Sequence, residues 1–458
     1  MGSTAVARPR ARHAWVRAVL RAAGILVALQ FVFFGLLVVG QAVPDKPIVD
    51  NLMTAIEHGT YGPSAIPDRM GTQSDTFTEC VVVGTGLGAH PEESALSRAA
   101  RMPRIDNCQG GVRDIQALAQ GAVFDTDYYK YWAGYTIFTR PILAIAGMEA
   151  LRILSGTLMI VCLVAAFLAV RARTTTAVAV ALFLPFVAGS NLLSTPSTSF
   201  SQSISLAVIF VSVLLTAWGA GRSRYTGVLG AVVGAALFCY VDLLTTPAIP
   251  WAMSGFTLAA AVWFRERSLK PAAMWGALGT VAWAVSFGVT WVSRWAFGAA
   301  FLGLDRTIDM VRTNVGFRTS GNWAGVSDEF GAGLARNIDF WWTSIPTAHL
   351  VVTGCLIAMA VGLVLAVRRG GVARWGVALV VSLPAAVIPF WYVVVSNHSQ
   401  IHMFFVNRGV PAALAVLTAA CLLVTARPRT TERRVERDRT SEEPAAAPET
   451  ASEPALRP

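Results

Sequence analysis

Apolar blocks of about twenty residues recur ten times along this chain, each long enough to cross about 30 Å of hydrocarbon as a helix. A bilayer offers the backbone no water, so only helices or a closed barrel can span it. The runs are continuously apolar rather than alternating, which selects helices. Only 14% of the residues are charged, against about 25% in an average soluble domain. The expected fold class is therefore an all-α polytopic membrane protein of about ten transmembrane helices with a large first extracytoplasmic loop.

The blocks divide the chain as follows. Residues 1–17 are a basic N-terminus holding Arg8, Arg10, Arg12 and Arg17, and 18–43 form a first span. That run is too long for a signal-peptide core and lacks a small-residue cleavage site. Residues 44–149 form an outer loop with interfacial helices. Spans two to seven fall within 150–298, near 150–170, 174–191, 203–220, 226–242, 249–264 and 272–298. A second outer loop covers 299–346, spans eight to ten lie within 347–425 (near 347–367, 374–394 and 408–425), and 426–458 read as a disordered tail rich in Glu, Pro, Ala and Ser.

Threading the chain this way puts Arg171 and Arg173, Arg222 and Arg224, Arg265 with Arg267 and Lys270, and Arg368, Arg369 and Arg374 in the same set of short loops. The positive-inside rule makes those loops cytoplasmic, predicting a plasma-membrane protein with both termini inside. The net charge of +10 belongs to these flanking arginines, so it does not point to nucleic acid.

The stretch Phe238–Pro250, FCYVDLLTTPAIP, places Asp242 at the end of an apolar run. A carboxylate at that depth costs roughly 2.5–3.5 kcal/mol on insertion scales unless it is compensated, which marks a functional position. Other polar groups thread to the same outer side. In DTFTEC, Asp75 and Glu79 stand four residues apart, a spacing that shares one helical face. Such a pair suits a general base or a shared cation, or is an ordinary solvated face. In DTDYYKYWAGYTIFTRP (125–141), Tyr128, Tyr131 and Trp132 read as a belt anchor or as rings that stack on sugar or line a lipid groove, with Arg140 facing phosphate.

Arg152 and Arg294 sit at outer ends of spans, where a phosphate, a carboxylate or snorkelling would account for them. In NHSQIHMFFVNRG, His398 and His402 stand at i and i+4 ahead of Arg408. The motif lacks the glutamate of a zinc HExxH site and reads as phosphate or sugar contact, or as an interfacial loop. Loop 299–346 carries Asp305, Arg306, Arg312, Arg318, Asp328 and Glu329, and fits either a lid or a connector. Cys80 and Cys108 share the first outer segment and are candidates for a disulfide in an oxidising compartment. The remaining cysteines lie in apolar runs.

One span, an outer loop bearing acidic residues, and many further spans with polar outer ends resemble the architecture of the GT-C class of membrane glycosyltransferases. The likeness extends over roughly 18–425, and its one motif-level match is the pair Asp75 and Glu79. It implies a polyprenyl-phosphate sugar donor, and an acidic pair acting as catalytic base or holding a divalent cation such as Mg or Mn. Class members carry their acids close behind the first span, whereas Asp75 follows later. The blocks DTFTEC, YYKYWAGYTIFTRP, YVDLLTTP and HSQIHMFFVNR are also similar to a group of uncharacterised bacterial envelope membrane proteins.

The expectation is transfer of a sugar from a polyprenyl-phosphate lipid to an envelope glycan or lipid acceptor on the outer face. Asp75, Glu79 and Asp242 would be catalytic. Tyr128, Tyr131, Trp132, Arg140, Arg294, His398, His402 and Arg408 would bind substrate. The alternatives are a transporter or flippase using Asp242 within the membrane, and a non-catalytic envelope scaffold. No internal repeat of the inverted-topology kind is visible.

Overall fold

The computed structural model describes residues 8–61, 75–106, 108, 112–319 and 323–426. The basic start at 1–7 and the expected tail from 427 onward lie outside these residues. Among the described residues the chain is helical with no named strand. Among the described residues it has two isolated bridges, Thr85 to Arg104 and Pro103 to Asp127.

In chain order the helices are α1 (Arg8–Gln41), α2 (Asp45–Glu57), α3 (Thr76–Gly84), α4 (Ala95–Arg101), α5 (Val112–Ala119), α6 (Thr136–Arg173), α7 (Thr176–Ala188), α8 (Thr195–Thr198), α9 (Phe200–Ala220) and α10 (Arg224–Val241). They continue with α11 (Ala248–Glu266), α12 (Leu269–Leu302), α13 (Leu304–Thr319), α14 (Ala332–Ser344), α15 (Ala348–Gly370), α16 (Ala373–Ser382), α17 (Val387–Val394), α18 (Ser396–Ile401), α19 (Met403–Val406) and α20 (Gly409–Leu423). Among the described residues, eight helical segments are long and apolar enough to cross a bilayer. The count is nine if α7 and Leu192–Thr198, bent by 63°, form one broken span.

The segments pack as helices do in lipid. On α1 the buried positions Gln30, Phe33, Phe34, Leu37 and Gln41 recur every three or four residues, while Phe31 and Val39 are exposed. The interior face carries the two glutamines, and beyond Arg21 the exposed positions on the outer face are apolar, the arrangement expected where lipid is the solvent. Burial of α11 extends nearly all round. It is therefore a central helix, and Arg265 together with Pro250, Ser254, Gly255 and Thr257 keeps it outside the eight strongly apolar segments. Small residues bring it against α12: a Cβ on Gly276 would meet the Ala259 methyl at 2.7 Å.

The boundaries differ from the sequence expectation at two places that matter. The helix expected at 150–170 starts at Thr136 and bends at Gly147, whose φ of 75° is the left-handed value glycine tolerates. The segment expected at 174–191 ends at Ala188, and the polar run behind it turns back as short helical pieces before α9.

The first outer segment is a packed layer, not an open loop. Arg98 and Arg140 both bind Asp45, and Arg101 bridges Glu93 and Asp127. Cys80 and Cys108 are joined in a disulfide with a Cα–Cα distance of 5.5 Å, which ties α3 to the chain leading into α5.

Candidate functional site

The polar residues at the α9 end of the bundle fall into three linked groups. The first forms where α3 meets the start of α9. Asp75 caps α3 by accepting the Thr78 amide at 2.9 Å, and it also accepts the Gln202 side-chain amide at 3.1 Å. Arg408 donates to the Gln202 carbonyl oxygen at 2.7 Å and to Asn191 at 3.0 Å. Gln202 thus stands between the acid and the guanidinium.

One turn along α3, Glu79 is fully buried and receives both terminal nitrogens of Arg152 at 2.6 and 2.8 Å, plus the Phe200 amide at 2.8 Å. Burial pushes both carboxyls above the usual carboxylate range. Arg152 opposes the shift at Glu79, and the Thr78 and Gln202 hydrogen bonds oppose it at Asp75. With its oxygens filled by a bidentate guanidinium and a backbone amide, Glu79 is an internal strut in this geometry.

The second group is the turn after α10. Asp242 is buried and accepts the Ser205 hydroxyl at 2.8 Å, the Thr245 amide at 2.6 Å and the Thr245 hydroxyl. It has no ion pair among the described residues. Ser205 lies three residues beyond Gln202 on α9, so one helical face addresses both acids. Thr78 of α3 and Ser201 and Ser205 of α9 line the same small void of about 10 Å³.

In the same turn Leu244 has φ 66°, a strained value for a side chain branched beyond Cβ. That backbone aims the Leu244 carbonyl at His398, whose Nε2 lies 2.8 Å away.

The third group is cationic. His398 and His402 pack ring to ring with centroids 4.7 Å apart, and the Nδ1 atoms of both are buried without a partner. Arg318, at the end of α13, donates to the Tyr131 hydroxyl and lies 5.2 Å from the ring centroid. Lys130 sits 4.9 Å from the Tyr128 centroid and 5.7 Å from that of Tyr131, and Arg104 is 4.7 Å from Tyr128. Burial first, then Arg318 and Arg104, pulls the Lys130 ammonium down to about 7. Burial, Arg318 and Lys130 hold His402 down at about 4.

The aromatic segment is held in place by Gly134, whose amide donates to Tyr240 O at 2.8 Å. A Cβ at Gly134 would lie 2.4 Å from the Tyr240 ring. Loop 323–331 is tied to α18 by the paired hydrogen bonds of Gln400 with the Ser327 amide and carbonyl.

Three residues expected to bind substrate are engaged elsewhere. Arg140 spends its donors on Gly40 O, Gly86 O, Val43 O and Asp45, joining the end of α1 to α6. Arg294 donates to Ala99 O and Ala100 O at the carboxyl end of α4 and to Tyr131 O, an arrangement that caps a helix. Trp132 donates to Thr290 O and packs fully buried against Phe33 and Tyr240. Their placement is that of structural staples.

Asn191, Gln202, Ser205 and Thr245 join the site without having been singled out from the sequence. The available signal for Asn191 and Gln202 was NLLSTPSTSFSQS, a run of hydroxyls and amides leading straight into an apolar helix, with Ser205 just beyond it, and Thr245 lay in the stretch Phe238–Pro250. Arg104 had no signal of its own; the bridge to Thr85 and the bond from its amide to Thr126 O bring it in.

Fold and site together define a multi-pass, all-helical membrane protein with buried acids and a cluster of cations that has no carboxylate partner among the described residues. Comparison with family models, curated proteins and solved structures returns no match.

Proposed function

We propose that the protein is a membrane transferase that moves a sugar from a polyprenyl-phosphate donor to a cell-envelope acceptor on the outer face of the plasma membrane. The observation that carries this reading is the pairing on one short turn. Asp242 presents a buried carboxylate with no cation bound to it, and two residues later the Leu244 carbonyl meets the imidazole and cation cluster. A carboxylate so placed suits a general base, because no guanidinium competes for the proton it must accept.

In the proposed reaction the acceptor hydroxyl attacks the anomeric carbon, the carbon–oxygen bond to phosphate breaks, and the phosphate leaves with the electron pair. Asp242 takes the hydroxyl proton, while cations near the leaving oxygen stabilise the charge that develops there. The outward orientation is supported by the arginine-rich loops at the opposite end and by the Cys80–Cys108 disulfide. Nucleotide sugars are cytoplasmic, so a site on that face needs a donor that crosses the bilayer as a lipid.

Asp242→Asn keeps an oxygen that can accept from Ser205 and tests the base. The expected result is loss of the envelope glycan, with accumulation of its lipid-linked precursor, while the protein inserts in normal amount. Normal glycan in that variant refutes the reading.

The bent pair α7 and Leu192–Thr198 supports a second reading, since discontinuous spans are common in transporters. Under that reading Asp242→Asn abolishes movement of a lipid-linked precursor across proteoliposomes, and the purified protein performs no transfer.

A further inference from the structure

The cationic group has a property that neither its packing nor the proposed base explains. Arg104, Lys130 and Arg318 gather on the faces of two tyrosines beside two imidazoles, and among the described residues no carboxylate pairs with any of the three. The acids on the neighbouring strands of chain are engaged elsewhere: Asp127 holds Arg101 and Arg306, Asp125 faces His90, and Asp106 accepts from Thr126. Arg318 is buried and Arg104 and Lys130 are half-buried, and like charges so placed without a counter-ion are costly. Tyrosine faces return only about 0.5–2 kcal/mol per cation.

Donors are also left over. Nε of Arg104 and Nε of Arg318 are buried with no partner, and so are Nδ1 of His398 and of His402. Because Nε2 of His398 donates to Leu244 O, its Nδ1 offers a hydrogen only when the ring is protonated, a form that a bound anion favours. A metal ion does not fit, because it would add positive charge to three cations. An oxyanion fits on charge and on hydrogen bonding, since guanidinium and phosphate match as planar fork and multiple acceptor.

We propose that Arg104, Lys130, Arg318, His398 and His402 form a phosphate-binding site, occupied by a phosphomonoester or pyrophosphate group. This deepens the transferase reading by assigning the donor's head group to named residues, and it rests on that reading only for the lipid source of the phosphate. Arg318 comes from the second outer loop, so its approach to Tyr131 closes that loop over the anion.

The test uses full-length protein in phosphatidylcholine nanodiscs and measures binding directly, without turnover. One arm titrates inorganic pyrophosphate; the other uses nanodiscs carrying a long-chain prenyl monophosphate. With ¹⁵N-histidine labelling, both ligands are expected to shift the His398 and His402 resonances in the wild type, and pyrophosphate should displace the lipid. Arg318→Gln and Arg104→Gln should each weaken binding about tenfold or more, the loss of one charge-assisted contact. Lys130→Arg should retain it, and Arg312→Gln, an exposed cation on the same helix, should leave it unchanged.

Absence of any histidine shift in wild type with either ligand overturns the site, as does wild-type affinity in both arginine variants. Binding of pyrophosphate without the prenyl phosphate keeps the anion site and overturns its lipid source. Intact binding with no glycan phenotype in Asp242→Asn would leave this site standing while the transferase reading falls.

Discussion

Glu79 and Arg152 offer the sharpest test of how the acids divide their labour. The carboxylate has no exposed surface and accepts three hydrogen bonds, two of them from a guanidinium that is itself largely buried. Removing the cation leaves a buried charge uncompensated, which costs about 3–5 kcal/mol. Removing the charge at Glu79 is milder. A glutamine in its place still accepts from the Phe200 amide and from Arg152, which keeps Ser197 O at 3.1 Å and Thr60 O at 3.3 Å, so the loss is about 1–2 kcal/mol.

Arg152→Met should therefore be much less stable than Glu79→Gln. Combining the two should restore most of the loss, because the stranded charge is then gone. pH adds a second axis. Burial raises the folded carboxyl above its unfolded value, so the folded state holds the proton more tightly and stability falls as pH rises between the two. Without Arg152, whose attraction lowers the folded value, that window widens. The Arg152→Met deficit should then be small near pH 4 and grow toward neutrality. Thermal unfolding of detergent-solubilised protein, read by fluorescence size exclusion across pH, checks the order. If Arg152→Met is as stable as wild type while a stable, well-inserted Glu79→Gln makes no product, Glu79 is a catalytic acid and the strut assignment is refuted.

Other perturbations read different parts of the molecule. Phosphate bound beside Lys130 should favour its charged form; with a value near 7 when free, the ammonium is mostly neutral at pH 8, so binding there should take up close to one proton. Calorimetry in buffers of different ionisation enthalpy checks this, and buffer-independent heats would exclude Lys130 from the anion. Gly134→Ala should push the aromatic segment off Tyr240 and weaken anion binding together with stability; wild-type melting would show that the contact yields easily. Replacing Cys80 and Cys108 by serine opens a loop with a sequence separation of 28 and should cost about 3–4 kcal/mol, read as a lower melting temperature that matches reduced wild type.

The fold class was legible because lipid imposes one condition on every span, and twenty apolar residues satisfy it wherever they occur. Boundaries were less legible where protein replaces lipid as the surroundings. The buried helix α11 needs small residues more than hydropathy, and α6 runs on past the membrane signal through Thr136 to Gly147.

At the site, Asp242 stood out because a charge in an apolar context is costly in any fold, whereas Asp75 with Glu79 and His398 with His402 stood out by spacing that shares one helical face, and Arg408 by its place at the entry to the last span. Many of their partners come from far along the chain. Arg408 reaches Gln202 across 206 residues and Glu79 reaches the Phe200 amide across 121, and no local spacing encodes either meeting. Sequence therefore names the residues that must be compensated, and packing decides which of them receive a partner. Arg140 and Glu79 are paired and act as struts, whereas Arg104, Lys130 and Arg318 share a site with no acid assigned to it among the described residues. Under the proposed anion site, the charges that lack a carboxylate among the described residues are the ones that a bound phosphate would neutralise.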